Sequence, residues 1–437
     1  MQSTQPHGHV SSSSNPAADD ASTSALSVRG RSVLAQRLEL PNGFVIPNRL
    51  AKAALSEGLG RRDLSPGSRI KRLYQRWADS GVGLMITGNV MIDHTAIGEP
   101  GNVVVEDRRH VQDLAEWARI AGSGGSATFV QINHPGRQTP RTLTAHPVAP
   151  SGIAVPGTAG VFAQPRELTS QQIEDLIRRF ATTAAIVTEA GFDGVQIHGA
   201  HGYLISQFLS PLSNRRTDAW GGTAQKRRRF VLEVFRAIRA EVGPATPVAI
   251  KLNSADFQRG GFGEDESIEV VHALAAEGLD LLEISGGTYT SAAMLGVDPS
   301  LKESTRRREA YFLSYAERVR AELPDLPLML TGGFRTADGM VDAVESGAVD
   351  VVGLGRPLTV QPDFPADLLA GRSDASIVNP RRSGIRLLDN LTELTYYSVQ
   401  MWRMAAGKEP APNRPTPINV GHYLLSNGLG SLRSPRA

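Results

Sequence analysis

Eight short runs of apolar residues recur along the chain, the first near residue 49 and the last near residue 354. Within each run the hydrophobic residues are nearly continuous, whereas a strand with one face in water would alternate apolar and polar positions. Continuous runs of this length indicate strands that are covered on both faces. The predicted strands are 49–55, 82–90, 127–133, 194–198, 247–253, 281–285, 327–331 and 351–354.

Segments with helical periodicity separate these strands. In the clearest of them, Thr169 and Gln172 form the pattern of a capping box, and apolar residues follow at helical spacing as far as Val187. Similar spacing predicts further helices near 69–79, 108–121, 225–241, 266–277, 311–322, 336–346 and 364–370, and one beyond the last strand over about 386–406.

A weak internal repeat joins helix to strand in the same way three times. EAGFDGVQI, AEGLDLLEI and ESGAVDVVGL each leave a helix through Gly191, Gly278 or Gly347, pass an aspartate and enter a strand. Such units in series build parallel α/β folds, and eight of them favour a closed (β/α)₈ TIM barrel. The alternative is a doubly wound open sheet, although no G-x-G-x-x-G follows the first strand.

The chain divides into three parts on composition. Residues 1–36 are rich in Ser, Ala and Asp and are predicted to form a disordered tail. Residues 37–375 form the barrel, entered through a hairpin at Asn42 and Gly43. Residues 376–437 form a C-terminal extension, which we expect to pack on the barrel or on a neighbouring subunit of a homo-oligomer.

Composition narrows the classes of function. The chain has 437 residues, of which 41% are hydrophobic, and its net charge of +2 offers no electrostatic footprint for nucleic acid. It contains no cysteine, which excludes disulfides, iron–sulfur clusters and cysteine nucleophiles. No apolar run reaches the roughly 18 residues of a membrane helix, and no secretory signal is recognisable. We therefore expect a cytoplasmic protein with neither membrane nor nucleic-acid partners.

Every predicted strand ends in polar residues or glycine, and a barrel brings those ends together at one rim. Such a rim suits a large ligand that forms many hydrogen bonds. The last two ends, Gly332-Gly333 and Gly355-Arg356, match the phosphate site of barrel enzymes, although a glycine pair also simply makes tight turns. The other ends are Ser56-Glu57-Gly58, Thr87-Gly88-Asn89, Gln131 with His134-Pro135-Gly136-Arg137, the HGAHGY segment, Lys251 and Gly286-Gly287.

HGAHGY is the most informative segment at the rim. His198 and His201 are three residues apart and Tyr203 follows, so one turn can direct all three side chains to the same side. They could ligate a metal, although no third ligand is evident, or they could be structural histidines. A third interpretation is a donor pair that binds a carbonyl oxygen, with Tyr203 as proton donor, as a conjugate reduction requires.

Lys251 lies in the otherwise apolar segment PVAIKLN. A buried lysine must be paired or functional. It could form a Schiff base as in barrel aldolases, stand as a cation beside a reduced, anionic flavin, or extend its amine to the rim.

Taken together, these segments resemble the Old Yellow Enzyme family of NAD(P)H:flavin oxidoreductases over about residues 38–369. QINHPGR at 131–137 is similar to the family's third-strand motif, and HGAHGYLISQFLSPLSNRRTDAWGG at 198–222 is similar to its longest hallmark. IKLNSADF, TGGFR and GLGRPL follow in the family's order. Within the long hallmark, we expect SNRRTDAWGG to be a structural loop.

The resemblance implies a role for each matching residue. Tyr203 would donate a proton, and His198 and His201 would bind the substrate carbonyl. Gln131 would bond the pyrimidine edge of FMN and Lys251 would lie near its N1 region, while no metal ion is implied. The remaining FMN-binding residues would be Ala53, Ala54, Leu55, Ser56 and Gly88 along the ring, and Gly332, Gly333, Gly355 and Arg356 at the phosphate.

The reaction implied is a ping-pong reduction of α,β-unsaturated carbonyl compounds, with hydride passing from NADPH or NADH through the flavin N5. Some members of the family carry Cys where this chain has Ser56 and Tyr where it has Gly58, so redox potential and substrate range do not transfer. Members with an iron–sulfur and second nucleotide domain need a cysteine cluster, which this chain lacks.

Overall fold

The computed structural model describes residues 31–157, 160–285, 301–378 and 386–433. Most of the predicted tail and the Gly286-Gly287 pair therefore lie outside the described residues. Residues 31–36, which we had placed in the tail, belong instead to the folded body. Leu34 is fully buried, and its carbonyl accepts a hydrogen bond from the Arg49 amide at 2.8 Å.

Eight parallel strands close into a barrel. Each strand pairs with the next in the chain and β8 pairs with β1, so the barrel is closed and the doubly wound alternative is wrong. Two further short strands, Val90–Met91 and Val103–Val104, extend the sheet from β3. The predicted (β/α)₈ architecture is confirmed. The strands are β1 (Leu50–Lys52), β2 (Leu84–Ile86), β3 (Ala127–Asn133), β4 (Gly194–Gly199), β5 (Val248–Asn253), β6 (Leu281–Ser285), β7 (Leu328–Thr331) and β8 (Val351–Leu354).

The first two strands are shorter than predicted. Residues 53–55 and 87–88 are apolar or small, but they belong to the connections that leave the barrel. Gly88 shows the physical reason, because a side chain there would collide with the Leu55 carbonyl at 2.3 Å. The two connections that follow β1 and β2 therefore run too close together to continue a regular ladder of strand hydrogen bonds.

A helix is present at each predicted place, although the one predicted at 311–322 already begins at Leu301. The helices Leu204–Leu209, Arg356–Val360 and Thr416–Arg433 were not predicted. No helix among the described residues is long and apolar enough to cross a membrane. The helices are α1 (Ser68–Ala78), α2 (Val111–Ala121), α3 (Ser170–Glu189), α4 (Leu204–Leu209), α5 (Ala224–Val242), α6 (Glu264–Ala276), α7 (Leu301–Glu322), α8 (Ala337–Glu345), α9 (Arg356–Val360), α10 (Phe364–Leu369), α11 (Arg386–Ala405) and α12 (Thr416–Arg433).

The predicted hairpin is also present and closes one end of the barrel. Its two short strands, Leu38–Glu39 and Val45–Ile46, turn through Gly43 at a positive φ of 82°. Leu38, Leu40 and Ile46 pack with the apolar layer inside the barrel, which includes Phe129. This end is sealed by hydrophobic burial, which leaves chemistry to the opposite, C-terminal end of the strands.

The C-terminal extension packs against the barrel of its own chain. The Trp402 indole on α11 donates to the carbonyl of Glu57 at 2.8 Å, and Arg72 on α1 donates to the Ala405 carbonyl at 3.0 Å. Tyr423 of α12 stacks on Trp402 with ring centres 5.4 Å apart. The extension therefore supports the connection that leaves β1 beside Ser56.

Candidate active site

Four buried polar side chains cross the barrel interior above the apolar layer. The Gln131 amide on β3 donates to Gln196 on β4 at 2.7 Å, and Gln196 donates to Glu283 on β6 at 2.7 Å. Lys251 on β5 lies 2.8 Å from the other oxygen of Glu283. Because β4 and β6 are not neighbours, the contact between them runs through the interior. The four residues are at most 5% exposed, and their side chains form one continuous network.

The HGAHGY segment gathers its three polar rings at the end of β4 and in the turn that follows it. His198 lies 5.1 Å from His201 and 4.9 Å from Tyr203, measured between ring centres, and both pairs are edge to face. His201 adopts a positive φ of 60°, which turns the chain sharply at that point. The three residues predicted to act together are therefore in contact.

Hydrogen bonds orient the two imidazoles. His198 accepts the Ala200 amide on Nδ1 at 3.3 Å, so in the neutral ring the proton is assigned to Nε2. His201 Nε2 lies 2.8 Å from the Ser285 hydroxyl, and its backbone amide donates to Asn253. His198 is thus set to present a neutral N–H donor.

Burial keeps both rings neutral. Loss of solvation lowers the pKa of His198 well below its usual value, with the neighbouring His201 and Lys251 adding to the effect. The same burial, with Lys251 again adding to it, lowers the pKa of His201 to about 3. At neutral pH the pair can donate hydrogen bonds to a developing negative charge without itself carrying a charge.

This shift predicts a loss of stability in acid. Between pH 6.5 and about 3 the unfolded chain binds a proton at residue 201 that the folded protein does not, so stability falls as pH decreases. Asparagine tolerates the positive φ at this position. From pH 7.5 to pH 5, the free energy of unfolding of His201→Asn should therefore fall by about 2 kcal/mol less than that of the wild type. Urea unfolding at the two pH values measures the difference, and identical pH dependence of the two proteins would contradict it.

The ends of β1, β2 and β8 form a second group of predicted residues. Ala53 is buried, while Ala54, Leu55 and Ser56 are partly exposed. The Gly88 amide donates to Glu57 at 3.0 Å, and Leu55 would be 3.4 Å from a side-chain carbon added at Gly355. Closure of the barrel puts this group and the β3–β6 group on the same rim.

One of the two predicted phosphate loops has a conformation that needs glycine. Gly332 and Gly333 have φ values of 134° and 83°. Arg356, at the start of α9, is 3.3 Å from Glu393 of α11, and its guanidinium lies 5.6 Å from the Tyr397 ring centre. The extension thus contacts the side chain that was predicted to hold the phosphate.

Sequence reasoning missed a buried group between β1 and α1. Lys52 donates to the Ile86 carbonyl at 2.7 Å and lies 4.5 Å from the Trp77 ring centre. Burial lowers the pKa of Lys52 to about 8, although the nearby Glu57 acts in the opposite direction. Burial likewise raises the pKa of Glu57, which accepts the Tyr74 hydroxyl. The sequence signal for this group was Lys52, the single charged residue in the apolar segment LAKAAL.

Sequence reasoning also missed Gln196 and Glu283, two polar residues inside apolar strands that carry the interior network.

The SNRRTDAWGG loop does have the predicted structural contacts. Asn214 donates to the carbonyls of Phe208 and Trp220, both at 2.8 Å, and Arg216 pairs with Asp218. These bonds hold the loop in its conformation.

Known proteins resemble this chain in sequence and in fold. The sequence pattern of the NADH:flavin oxidoreductase / NADH oxidase family matches residues 41–375. The chain is 37% identical to the NADH-dependent flavin oxidoreductase iliE of Hypocrea jecorina (strain QM6a), over 82% of this chain and 95% of that protein. Among solved structures, morphinone reductase superposes with a TM-score of 0.65 at 25% identity, covering 80% of this chain and 92% of the other.

A second solved structure shares the fold alone. The 2-naphthoyl-CoA reductase superposes with a TM-score of 0.75 at 23% identity, over 85% of this chain but only 58% of its own.

Proposed function

The chain belongs to the NADH:flavin oxidoreductase / NADH oxidase family, and from that membership we propose that it is an FMN-dependent ene-reductase. It would reduce the activated C=C bond of α,β-unsaturated carbonyl compounds with hydride from NADH or NADPH. The observation that carries the proposal is the contact of His198, His201 and Tyr203 at the barrel mouth, beside the buried network that contains Gln131 and Lys251.

The chain's residues fit FMN in their chemistry. Gln131 and Lys251 offer an amide and a cation to the pyrimidine edge of the ring. Gly88, where an added side chain would collide with the Leu55 carbonyl, and Ala53–Ser56 would follow the ring from β2 and β1. Gly332, Gly333, Gly355 and Arg356 would hold the phosphate with backbone amides and one guanidinium.

When bound, FMN supplies the N5 atom that accepts and returns hydride. His198 and His201 would bind the substrate carbonyl oxygen and stabilise its negative charge as hydride reaches the β-carbon. Tyr203 would then give its hydroxyl proton to the α-carbon, which completes addition of H₂ across the double bond. Nicotinamide and enone would use the same face in turn, which is a ping-pong order.

Two other functions remain as outcomes of the test. A Schiff-base aldolase would need Lys251 as a free amine, whereas Lys251 lies 2.8 Å from the Glu283 carboxylate. A protein that binds FMN without catalysis would keep the same fold and colour.

Colour and anaerobic titration separate these functions. The proposal expects a yellow protein that bleaches when NADH or NADPH is added without oxygen and recovers its colour with 2-cyclohexenone. A colourless protein that does not take up FMN would exclude both flavin functions. Bleaching without recovery across a panel of enones, nitroalkenes and quinones would exclude the ene-reductase.

The phosphate assignment predicts a selective loss of affinity. Arg356→Ala should weaken FMN binding about tenfold or more through loss of a charge-assisted bond, while riboflavin binding should change little. Fluorescence titration of the flavin-depleted protein measures both affinities. Arg372→Ala removes an exposed arginine paired with Asp367 and is the matched control. Equal losses for FMN and riboflavin would place the phosphate elsewhere.

A further inference from the structure

We propose that Glu283 is a positioning residue that sets, through Gln196 and Lys251, the hydrogen-bonding pattern and the net charge offered to the flavin ring. The proposal rests on the function proposed above, in which Gln131 and Lys251 face the pyrimidine edge of FMN. It is carried by the contacts of Glu283, which is fully buried and lies between Gln196 and Lys251.

Glu283 determines which way two amides point. Paired with Lys251, its carboxylate only accepts hydrogen bonds, so Gln196 must approach it with Nε2. The Gln196 oxygen is then turned to Gln131, which must donate through its own Nε2, as the 2.7 Å contact shows. The Gln131 oxygen is therefore the atom left to face a ligand. One carboxylate thus orients an amide two residues away along the network.

The resulting pattern matches one edge of a flavin. The oxidised ring presents N3–H as a donor and O2 and N1 as acceptors. The Gln131 oxygen accepts from N3–H, and the Lys251 ammonium faces the N1 side, where negative charge collects on reduction. Were the Gln131 amide reversed, two N–H donors would oppose each other in a buried site, which is costly.

Glu283 also balances the charge of Lys251. The two form a neutral pair while the ring is oxidised, and the anionic reduced ring adds one negative charge beside them. Interactions between charges in a buried site are strong because water screens them little. Glu283 therefore opposes flavin reduction, whereas Lys251 favours it.

Glu283→Gln tests both consequences with almost no change of shape. Lys251 would draw the new amide oxygen, so the amide nitrogen would face Gln196 and the network would reverse as far as Gln131. The loss of one negative charge should also raise the affinity for reduced relative to oxidised FMN at least about tenfold, which is a rise in two-electron potential of about 30 mV. Spectroelectrochemical titration of the FMN-loaded protein measures this potential.

Asp280→Asn is the matched control. Asp280 is a buried acid at the opposite end of the same strand, where it accepts the Val248 amide at 2.7 Å and pairs with Arg239 at 2.6 Å. Its loss should lower stability and leave the flavin potential unchanged. A rise in potential confined to Glu283→Gln supports the proposal, and equal potentials in wild type and Glu283→Gln overturn it.

Gln196→Met separates orientation from charge. It breaks the network without changing any charge, so the potential should stay near that of the wild type while FMN affinity falls about fivefold, the value of one net hydrogen bond. Unchanged FMN affinity in Gln196→Met would overturn the claim that Glu283 orients the Gln131 amide. This test still decides the claim if Glu283→Gln fails to fold. A wild-type protein that binds no FMN would instead contradict the proposed function, which keeps the two failures distinct.

Discussion

Tyr203→Phe is expected to slow reduction of an enone by about 10²- to 10⁴-fold, the usual contribution of a positioned proton donor. The Tyr203 ring is largely buried, 4.9 Å from His198 and edge to face with it. Phenylalanine keeps the shape of that contact and removes only the hydroxyl. Flavin reduction by nicotinamide needs no proton at the α-carbon and should stay within about twofold of the wild type.

Anaerobic stopped-flow absorbance resolves the two half-reactions through the flavin band. Tyr396→Phe is the control, because the Tyr396 hydroxyl donates to Pro412 in the extension and not at the barrel mouth. Equal slowing of both half-reactions by Tyr203→Phe would point to damaged packing. An unchanged enone step would show that another group supplies the proton.

Lys251→Met should cost about 3–5 kcal/mol of stability, because it leaves the Glu283 carboxylate buried without its cation. It should also lower the flavin potential, since the positive charge assigned to the N1 side is lost. Urea unfolding measures the stability, and redox titration of the reconstituted protein measures the potential.

Lys251→Arg is the informative companion. Arginine keeps the cation and the pair with Glu283, so it should preserve most of the stability and the enone reductase activity. A Schiff-base enzyme would lose all activity with arginine, because a guanidinium forms no imine with a carbonyl substrate. If Lys251→Arg keeps its stability but loses flavin chemistry, the role of Lys251 as a cation beside the flavin is contradicted.

Local sequence carries enough information for the architecture and for the contacts made within one segment. Eight covered strands separated by amphipathic helices leave few arrangements besides a closed barrel. The spacing of HGAHGY brings its three rings together in one turn. The glycines at 332 and 333 show a backbone that other residues rarely adopt, as their positive φ values confirm.

The sequence did not predict contacts between segments that are far apart along the chain. Glu283 and Gln196 lie 87 positions apart on strands that are not neighbours, so only closure of the barrel brings them together. Arg356 meets Glu393 because α11 returns across the barrel. The first strands end early for a similar reason, since the close crossing at Gly88 and Leu55 involves two separate connections.

The two lysines inside strands show where sequence information ends. Lys52 and Lys251 each stand alone in an apolar run, and both are buried. A barrel strand is hydrophobic towards the interior and towards the helices, so its pattern has no alternation that says which face is which. Sequence by itself determined the eight strands, the rim residues and the family; the tertiary structure alone decided that Lys251 points inward to Glu283 and Lys52 outward to Trp77.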